Sequence, residues 1–334
     1  MNAGQYTGLL QGACFAAVLF ALSTSIACAV GWPWLRAPLA RLAPEPRATV
    51  LLLLAVLPAG AAAVLVALSF APSLLSFAGV LSDHCHQHAS HPHLCLTHPP
   101  ALGDSPVLSL LVGALLLACA VATASAGRRW WRARRLVRTL LALSRDDGRG
   151  VRVVASSAPM AFAAGLRHPV LFVSTHLMER LSARQLAIVL AHEQAHARRR
   201  DTLRHSVAAA GAILHLPRVR HALLADLALA AEQACDSASA GAAGGDRLAV
   251  ADTIIAVERL FARSSSHAVA PACHFMDSDV ACRVQALLDD PGKLPPRRRY
   301  ARILVPACLL ALCLAGPVHH VTETLLGFLL RLAA

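Results

Sequence analysis

The chain has 334 residues, of which 56% are hydrophobic and 15% are charged, and it carries a net charge of +12. Soluble domains contain about a quarter charged residues, so this composition and a mean hydropathy of +0.55 exclude an ordinary soluble protein and indicate an integral membrane protein. The arginines form short clusters beside apolar runs, a pattern that is typical of membrane proteins and argues against direct nucleic-acid binding.

Four apolar runs reach or approach the length of about 20 helical residues that crosses a bilayer. In chain order they cover residues 8–30, 50–75, 107–126 and 303–318. The last run is the shortest and contains Pro306. No Lys or Arg precedes the first run, so we predict a transmembrane helix there and not a cleaved signal peptide.

The positions of the basic segments predict the orientation of the chain, because basic loops stay in the cytoplasm. Arginines lie between the first two runs, in "GRRWWRARRLVR" after the third run and in "PPRRRY" before the fourth, whereas the segment between the second and third runs has no Lys or Arg. Aromatic side chains prefer the membrane interface, and five of them fall at the same inner boundary: Trp32, Trp34, Trp130, Trp131 and Tyr300.

These features predict a multi-pass membrane protein with both termini outside. We expect three transmembrane helices in residues 1–126, a cytoplasmic domain in residues 127–300, and a fourth helix with a short outer segment in residues 301–334. A basic inner loop would occupy residues 31–49, and an outer loop residues 82–105.

The cytoplasmic segment begins with strand-like sequence and continues as helices. "VRVVASS" and "PVLFVST" combine β-branched residues with flanking turn residues, and "MAFAAG" between them is a candidate third strand. "SARQLAIVLAHEQAHARRR" predicts a helix with a capping box, because Gln185 follows Ser182 by three residues. The helical patterns that come after it predict a small sheet followed by a mostly helical bundle.

The helix that follows Ser182 contains "HEQAH", which is His192, Glu193 and His196 with two residues between. Histidines four positions apart share a helix face and can bind one zinc ion, while the glutamate reaches a water on that ion as a general base. Two ordinary histidines on a solvated turn are the alternative. The apolar "QLAIVLA" before the motif predicts a buried helix instead, and buried polar groups need partners.

A third zinc ligand is expected downstream, because a catalytic zinc usually takes three from the protein. "AAEQACDSASAG" places Glu232 and Asp236 four positions apart on one helix face, and its small side chains would let this helix approach the first closely. Glu232 would be a ligand and Asp236 an acceptor for a histidine N–H. A pair of surface carboxylates is the alternative.

Residues 158–203 resemble the core of the BlaR/MecR-type membrane metallopeptidases. The shared features are Gly-x-x-x-Pro at Gly165 and Pro169, the HExxH helix, the basic residues and Asp at 199–201, and an E-x-x-x-D element in "EQACD" that HtpX-type peptidases also have. The resemblance implies one catalytic Zn²⁺, Glu232 as its third protein ligand, and Asp236 as a supporting residue, which is the gluzincin arrangement.

The resemblance extends over residues 8–318 and implies three spans before the zinc domain and one after it. We therefore predict an α-helical integral membrane protein of about four transmembrane helices with a cytoplasmic α+β, zincin-like metalloprotease domain. It also implies peptide hydrolysis, with a BlaI/CopY-type transcriptional repressor as the cytoplasmic substrate. The resemblance further implies a location in the bacterial inner membrane. We expect two departures from the family: no penicillin-binding sensor domain after the last span, and a short outer loop in place of the long one.

Two further details of the chemistry are expectations from position in the sequence. His205 and Arg199 are candidates for stabilising the oxyanion, although each also fits a helix surface or a helix end. The "MAFAAG" strand, which includes Phe162, precedes the zinc helix and is a candidate for pairing with an extended substrate by strand addition.

The outer loop contains "DHCHQHASHPHLCLTH", whose histidines and cysteines suit Cu(I) or Zn(II). The candidate ligands are His84, Cys85, His86, His88, His91, His93, Cys95 and His98. The loop stands where a family member would receive its signal, so we predict a metal-sensing site. A disulfide between the two cysteines, which an oxidising compartment allows, and a merely polar turn are the alternatives.

Three functions follow from these features. The first is a zinc endopeptidase that cleaves a repressor in response to an extracytoplasmic signal such as metal ions. The second is an HtpX-like protease that degrades damaged membrane proteins, and the third is a non-enzymatic metal-binding or metal-transporting membrane protein. The third is disfavoured, because no predicted span carries an acidic residue or a histidine near its middle. The oligomeric state and the identity of the substrate stay open.

Overall fold

The computed structural model describes residues 3–80, 106–148, 150–165, 168–265 and 276–289, and the separate positions 317, 320–322, 324, 325, 327 and 328. The His/Cys segment and nearly all of the fourth apolar run lie outside the described residues, so the predictions made for them stay predictions.

Three long helices open the chain: α1 (Ala3–Ala40), α2 (Pro44–Phe77) and α3 (Pro106–Leu143). Each contains a stretch that is long and apolar enough to cross a membrane: Tyr6–Ala40, Pro44–Phe77 and Val112–Leu143. The part of the chain that the structure describes thus has three candidate spans, one for each of the first three apolar runs.

The helices are longer than the apolar runs that predict them. Helix α1 continues to Ala40 and α2 begins at Pro44, so the expected loop at residues 31–49 is two helix ends joined by a turn at residues 41–43. Pro44 fits the first turn of α2, where the missing N–H has no helical partner. Helix α3 likewise continues through the arginine cluster to Leu143, because Arg, Leu and Ala are strong helix formers.

A four-stranded sheet follows α3. Its strands are β1 (Ser144–Asp146), β2 (Val151–Val154), β3 (Ala161–Ala164) and β4 (Val170–Ser174), in the spatial order β1-β2-β4-β3. Strands β2 and β4 are parallel, and the two outer pairs are antiparallel. The three predicted strands are present, and β3 forms one edge of the sheet. Strand β1 was not predicted, because "SRD" is short and entirely polar.

Six helices and one 3-10 turn complete the described fold. They are α4 (Thr175–Arg180), α5 (Ala183–Arg199), α6 (Asp201–Gly211), the 3-10 turn Ala212–Leu214, α7 (Pro217–Ala242), α8 (Arg247–Ser265) and α9 (Met276–Leu288). The predicted capping box opens α5: Gln185 N–H donates to Ser182 Oγ, and Ser182 N–H donates to Gln185 Oε1. Arg200, with a left-handed φ of 55°, separates α5 from α6.

Helices α6 and α7 pack against α2 in a shared core, which contains Leu51, Ala55, Ala208, Ala212 and Leu223. Two contacts give the direction of α6. Arg204 donates to the Thr49 hydroxyl at 3.2 Å, and Gly211 lies so close to Val56 that a Cβ there would be 2.8 Å from the Val56 Cα atom. Both residue numbers rise by seven between the contacts, so α6 runs parallel to α2.

Candidate metal centre

The metal centre lies where α5 crosses α7. Helix α5 presents the two histidines of "HEQAH", and α7 presents Glu232 one turn before Asp236. Small residues on α7 let the helices approach closely, and three of them are fully or almost fully buried: Ala230, Ala231 and Cys235. The spacing within each helix is local, but the meeting of the two faces depends on this packing.

His192, His196 and Glu232 form a triangle of ligand atoms. The two histidine Nε2 atoms are 3.1 Å apart. Glu232 Oε2 is 3.4 Å from His192 Nε2, and Glu232 Oε1 is 3.4 Å from His196 Nε2. Tetrahedral zinc with bonds of about 2.0–2.1 Å holds its ligand atoms about 3.3 Å apart. The three spacings are close to this value, and Glu232 offers a different oxygen to each histidine. The three side chains can therefore supply three ligands to one zinc ion, with one ligand atom each within 4.8 Å of one another, and leave a fourth position to a water or a substrate.

His192 is held by a carboxylate that is itself held by an arginine. Its Nδ1 atom lies 2.9 Å from Asp236 Oδ1 and donates to it, so Nε2 is the ring atom that faces Glu232 and would bind a metal. Arg283 of α9 donates to both oxygens of Asp236, at 2.7 and 2.8 Å. It also lies 3.3 Å from Glu232. Arg283 therefore contacts both the ligand Glu232 and Asp236, the carboxylate that holds His192.

His196 is held in the same way from the start of α6. Its Nδ1 atom lies 2.9 Å from Asp201 Oδ2. The same oxygen accepts from Arg199 Nε at 3.2 Å and from the Cys235 thiol at 3.6 Å. Because Asp201 is almost completely buried, its charge depends on these partners. Each histidine ring is thus oriented through Nδ1 by a buried carboxylate.

Ion pairing within the centre raises the pKa of its histidines and lowers the pKa of its carboxylate ligand. Burial lowers the pKa of His192, but hydrogen bonds with Asp236 and Glu232 outweigh burial and raise it. Burial would raise the pKa of Glu232, yet its contacts with His192, His196 and Arg283 bring that pKa far below its usual value. The carboxylates therefore stay ionised at neutral pH, whereas the histidines hold a proton that a bound metal ion would displace.

Glu193 lies beside the triangle and faces β3. Its Oε2 atom accepts the Ala163 N–H at 3.0 Å. Burial raises the pKa of Glu193, and the charges of His192 and His196 partly oppose that rise. A carboxylate whose pKa is moved toward neutrality is suited to accept and return a proton.

A cavity of about 160 Å³ opens over these groups. One wall is β3 with Ala161, and another is the face of α8. The α8 residues on the cavity are mostly apolar and follow helical spacing: Val250, Thr253, Ile254, Val257, Glu258 and Phe261. The metal centre thus lies at the floor of a cleft between an edge strand and an apolar helix face.

The structure brings together all five predicted residues of the zinc domain, namely His192, Glu193, His196, Glu232 and Asp236. The eight predicted ligands of the outer loop lie outside the described residues. Arg199 and His205 are not on the cavity: Arg199 binds Asp201, and His205 Nδ1 pairs with the Asp201 carbonyl oxygen at 2.9 Å. This placement favours the alternative that these two residues belong to a helix end and a helix surface, and not to the reacting group.

Two important residues were not predicted. Asp201 is included only as part of the motif at 199–201 that resembles the family, because the turn at Arg200 that brings it to His196 is not visible in the sequence. Arg283 is one of 31 Lys and Arg residues, and its distance of 47 residues from Asp236 leaves no local signal.

Comparison with known families decides the affiliation of the chain. A family model described as BlaR1 peptidase M56 matches residues 20–287. The chain belongs to this family. The match runs from α1 to the end of α9, so it includes every residue of the metal centre. No curated protein and no solved structure matches the chain.

Membership of the M56 family makes the chain a membrane peptidase of a class that typically depends on a metal ion. The ligand triangle agrees with that class, since His192, His196 and Glu232 have one ligand atom each within 4.8 Å of one another. The candidate spans agree with a membrane location.

Proposed function

We propose that the chain is a zinc endopeptidase that transmits a signal across the membrane by cleaving a cytoplasmic repressor of the BlaI/CopY type. The observation that carries the proposal is the ligand triangle with its zinc-like spacing, with Glu193 beside it on the cleft. The family model that matches the chain is described as BlaR1 peptidase M56, and this description supports the signalling role.

The roles of the residues follow from their positions. A zinc ion held by His192, His196 and Glu232 would lower the pKa of a bound water, and its positive charge would polarise the scissile carbonyl. Glu193 accepts the proton of the attacking water and delivers it to the leaving amine. Asp236 and Asp201 keep the two histidine rings oriented through Nδ1.

We assign substrate binding to the outer edge of β3. Its inner edge pairs with β4, in the register Phe162 to Phe172. Peptide groups alternate in direction along a strand, so those of Ala161 and Ala163 point away from β4. The Ala163 N–H accordingly reaches Glu193. An extended substrate added to this edge would pass over the metal centre. An Ala161→Pro variant, which removes an outward N–H, should cleave its substrate more slowly; cleavage at the normal rate would contradict this assignment.

The catalytic proposal is tested by replacing the base without touching the ligands. The purified full chain in lipid nanodiscs is incubated with a proteome-derived peptide library, and new peptide ends are identified by mass spectrometry. We expect cleavage by the native chain, no cleavage by Glu193→Ala, and the same zinc content in both. Glu179→Ala, an exposed glutamate of α4, is the matched control and should cleave normally. Unchanged cleavage by Glu193→Ala would exclude the mechanism.

The signalling proposal has a different test. In cells, a BlaI/CopY-type repressor should remain intact until a stimulus is added and should then be cut only where Glu193 is present. Cutting at the same rate with and without stimulus would instead favour a quality-control protease of the HtpX kind.

We propose the outer His/Cys loop as the sensor, with copper or zinc as its signal. The supporting fact is the density of metal-binding side chains at 84–98. Replacing His86, His88, His91 and His93 with Ala should abolish metal-induced repressor cleavage. The peptidase measured in nanodiscs should be unaffected. An unchanged response to copper and zinc would remove the sensor role and leave the peptidase proposal intact.

A further inference from the structure

The connection between α6 and α7 exposes an apolar surface beside α2, which we call the α6–α7 patch. It consists of five side chains that are each 38–46% exposed: Leu203, Val207, Ile213, Leu214 and Leu216. Elsewhere in the described part of residues 144–289, large apolar side chains that are exposed occur singly, at Met178, Leu248, Ile255 and Leu288. Scattered apolar residues are normal on a protein surface, whereas a contiguous patch indicates a contact.

The patch lies at a definite level along α2. Helix α6 runs parallel to α2 from Thr49 to Val56, and the 3-10 turn returns to this level, where His215 Nε2 donates to the Leu54 carbonyl oxygen at 3.0 Å. The last charged residue of α2 is Arg47. Val56 is nine residues further along, which is about 14 Å at 1.5 Å per residue. The tip of the connection therefore lies beside the uncharged part of the span.

The thickness of the membrane places the patch at the same level along α2 when residues are counted back from Phe77. Phe77, the last residue of α2, lies 21 residues beyond Val56, which is about 32 Å along the helix. The hydrocarbon core of a bilayer is about 30 Å thick. When α2 spans the membrane up to Phe77, the inner boundary of the hydrocarbon falls close to Val56 and hence close to the patch.

Aromatic and basic side chains around the patch have the arrangement expected at a membrane interface. Trp32 of α1 is buried in the same core as Ala55 and Ala212, and tryptophan prefers the interface. Directly after Leu216 and a proline come Arg218 and Arg220. Arginines at this position can extend to anionic headgroups while the neighbouring apolar side chains enter the acyl region.

We propose that the tip of the α6–α7 patch, formed by Ile213, Leu214 and Leu216, inserts into the lipid leaflet at the Pro44 end of α2. The peptidase domain then has a second membrane contact besides its spanning helices. The occupant is lipid, because the patch lies beside the uncharged part of α2, is followed in the sequence by Arg218 and Arg220, and lies at the level of the acyl–headgroup boundary.

The test uses the full chain in nanodiscs of phosphatidylcholine and phosphatidylglycerol. A photoreactive benzoylphenylalanine replaces Leu214 in one variant and Leu248 of α8 in the control, which is the more exposed of the two positions at 68%. After illumination, mass spectrometry counts lipid adducts. We expect at least five times more lipid adduct at position 214 than at position 248. Ile213 is a second labelling position on the same turn and should behave like Leu214.

Two results would overturn the proposal. Equal lipid adduct at positions 214 and 248 would mean that the patch faces water. Cross-linking of position 214 to a second copy of the chain without lipid adduct would make the patch an interface between copies. The measurement needs no peptidase activity, so the Glu193→Ala chain should give the same adducts, and failure of the catalytic proposal would be distinguishable from failure of this one.

Discussion

Each histidine of the metal centre is oriented by one buried carboxylate, and the two carboxylates come from different helices. Asp236 belongs to α7, as does the ligand Glu232, whereas Asp201 is the first residue of α6. Asp236 is further held by Arg283, and Asp201 by Arg199. Removal of either support should therefore change metal affinity while all three ligands remain in place.

Asp201→Asn should weaken zinc binding by about 10–100-fold, because an amide is a poorer acceptor for His196 Nδ1–H and makes the ring a weaker ligand. The affinity can be measured by competition with a chromophoric zinc chelator on the full chain in nanodiscs. Asp252→Asn, an exposed residue of α8, is the control and should bind zinc normally. Equal affinities for the two variants would contradict the role of Asp201.

Arg283→Met should destabilise the fold by about 3 kcal/mol, since it leaves Asp236, whose side chain is 1% exposed, without its cation. Arg283→Lys should lie between the native chain and Arg283→Met, because lysine keeps the charge but not the two-pronged geometry. Thermal unfolding followed by circular dichroism measures the order of the three proteins. Equal melting temperatures for Arg283→Met and the native chain would contradict the role of Arg283 in stabilising the buried charge of Asp236.

At the scale of helices and strands, the contact between α6 and α2 depends on a residue without a side chain. A Cβ on Gly211 would lie 2.8 Å from Val56 Cα and 2.9 Å from the Ala55 carbonyl oxygen, and neither backbone atom can move aside without shifting a helix. Gly241 of α7 differs, because a Cβ there would meet no atom within 4 Å. The two positions form a matched pair for one substitution.

Gly211→Ala should lower the stability of the chain by about 1–3 kcal/mol, although alanine is the better helix former, because overpacking outweighs propensity. Gly241→Ala should raise stability by about 0.5–1 kcal/mol through propensity alone. Melting temperatures of the two variants should therefore move in opposite directions. A higher melting temperature for both variants would show that the contact between α6 and α2 accommodates the added methyl group without loss of stability.

Local sequence signals predicted some elements well, and the reason is physical. The capping box at Ser182 and the spacing of His192 and His196 depend on residues within one turn, so they are readable along the chain. The order of the strands depends on long-range pairing, in which β4 inserts between β2 and β3. The apolar runs predicted the spans but not the helix lengths, because hydropathy reports membrane thickness and not where a helix ends.

The metal centre could be predicted only in part for the same reason. Glu232 and Asp236 were readable from their spacing of four residues on one helix. Asp201 reaches His196 only because Arg200 adopts a left-handed backbone and turns the chain between α5 and α6. Arg283 comes from α9, and nothing in its surroundings in the sequence points to Asp236.

At the scale of the whole molecule, bound metal should act as a cross-link between α5 and α7. Removal of zinc with a chelator should lower the melting temperature, and zinc should restore it, because a ligand at 1,000 times its dissociation constant stabilises by about 4 kcal/mol. Glu193→Ala should show the same shift as the native chain, while His192→Ala should show little. A melting temperature that does not respond to chelator would contradict the metal centre.

Helix α6 is a short rod with one end in the metal centre and the other fixed against a membrane span. Its 11 residues measure about 16 Å, from Asp201 to the close contact of Gly211 with Val56. A slide of α2 by one residue, about 1.5 Å, would reach Asp201 almost undiminished. A component of that slide of about 0.6 Å along the 2.9 Å contact with His196 would reach the limit of hydrogen bonding at about 3.5 Å. In that direction, the support of His196 tolerates less movement of the span than the rise of a single helical residue.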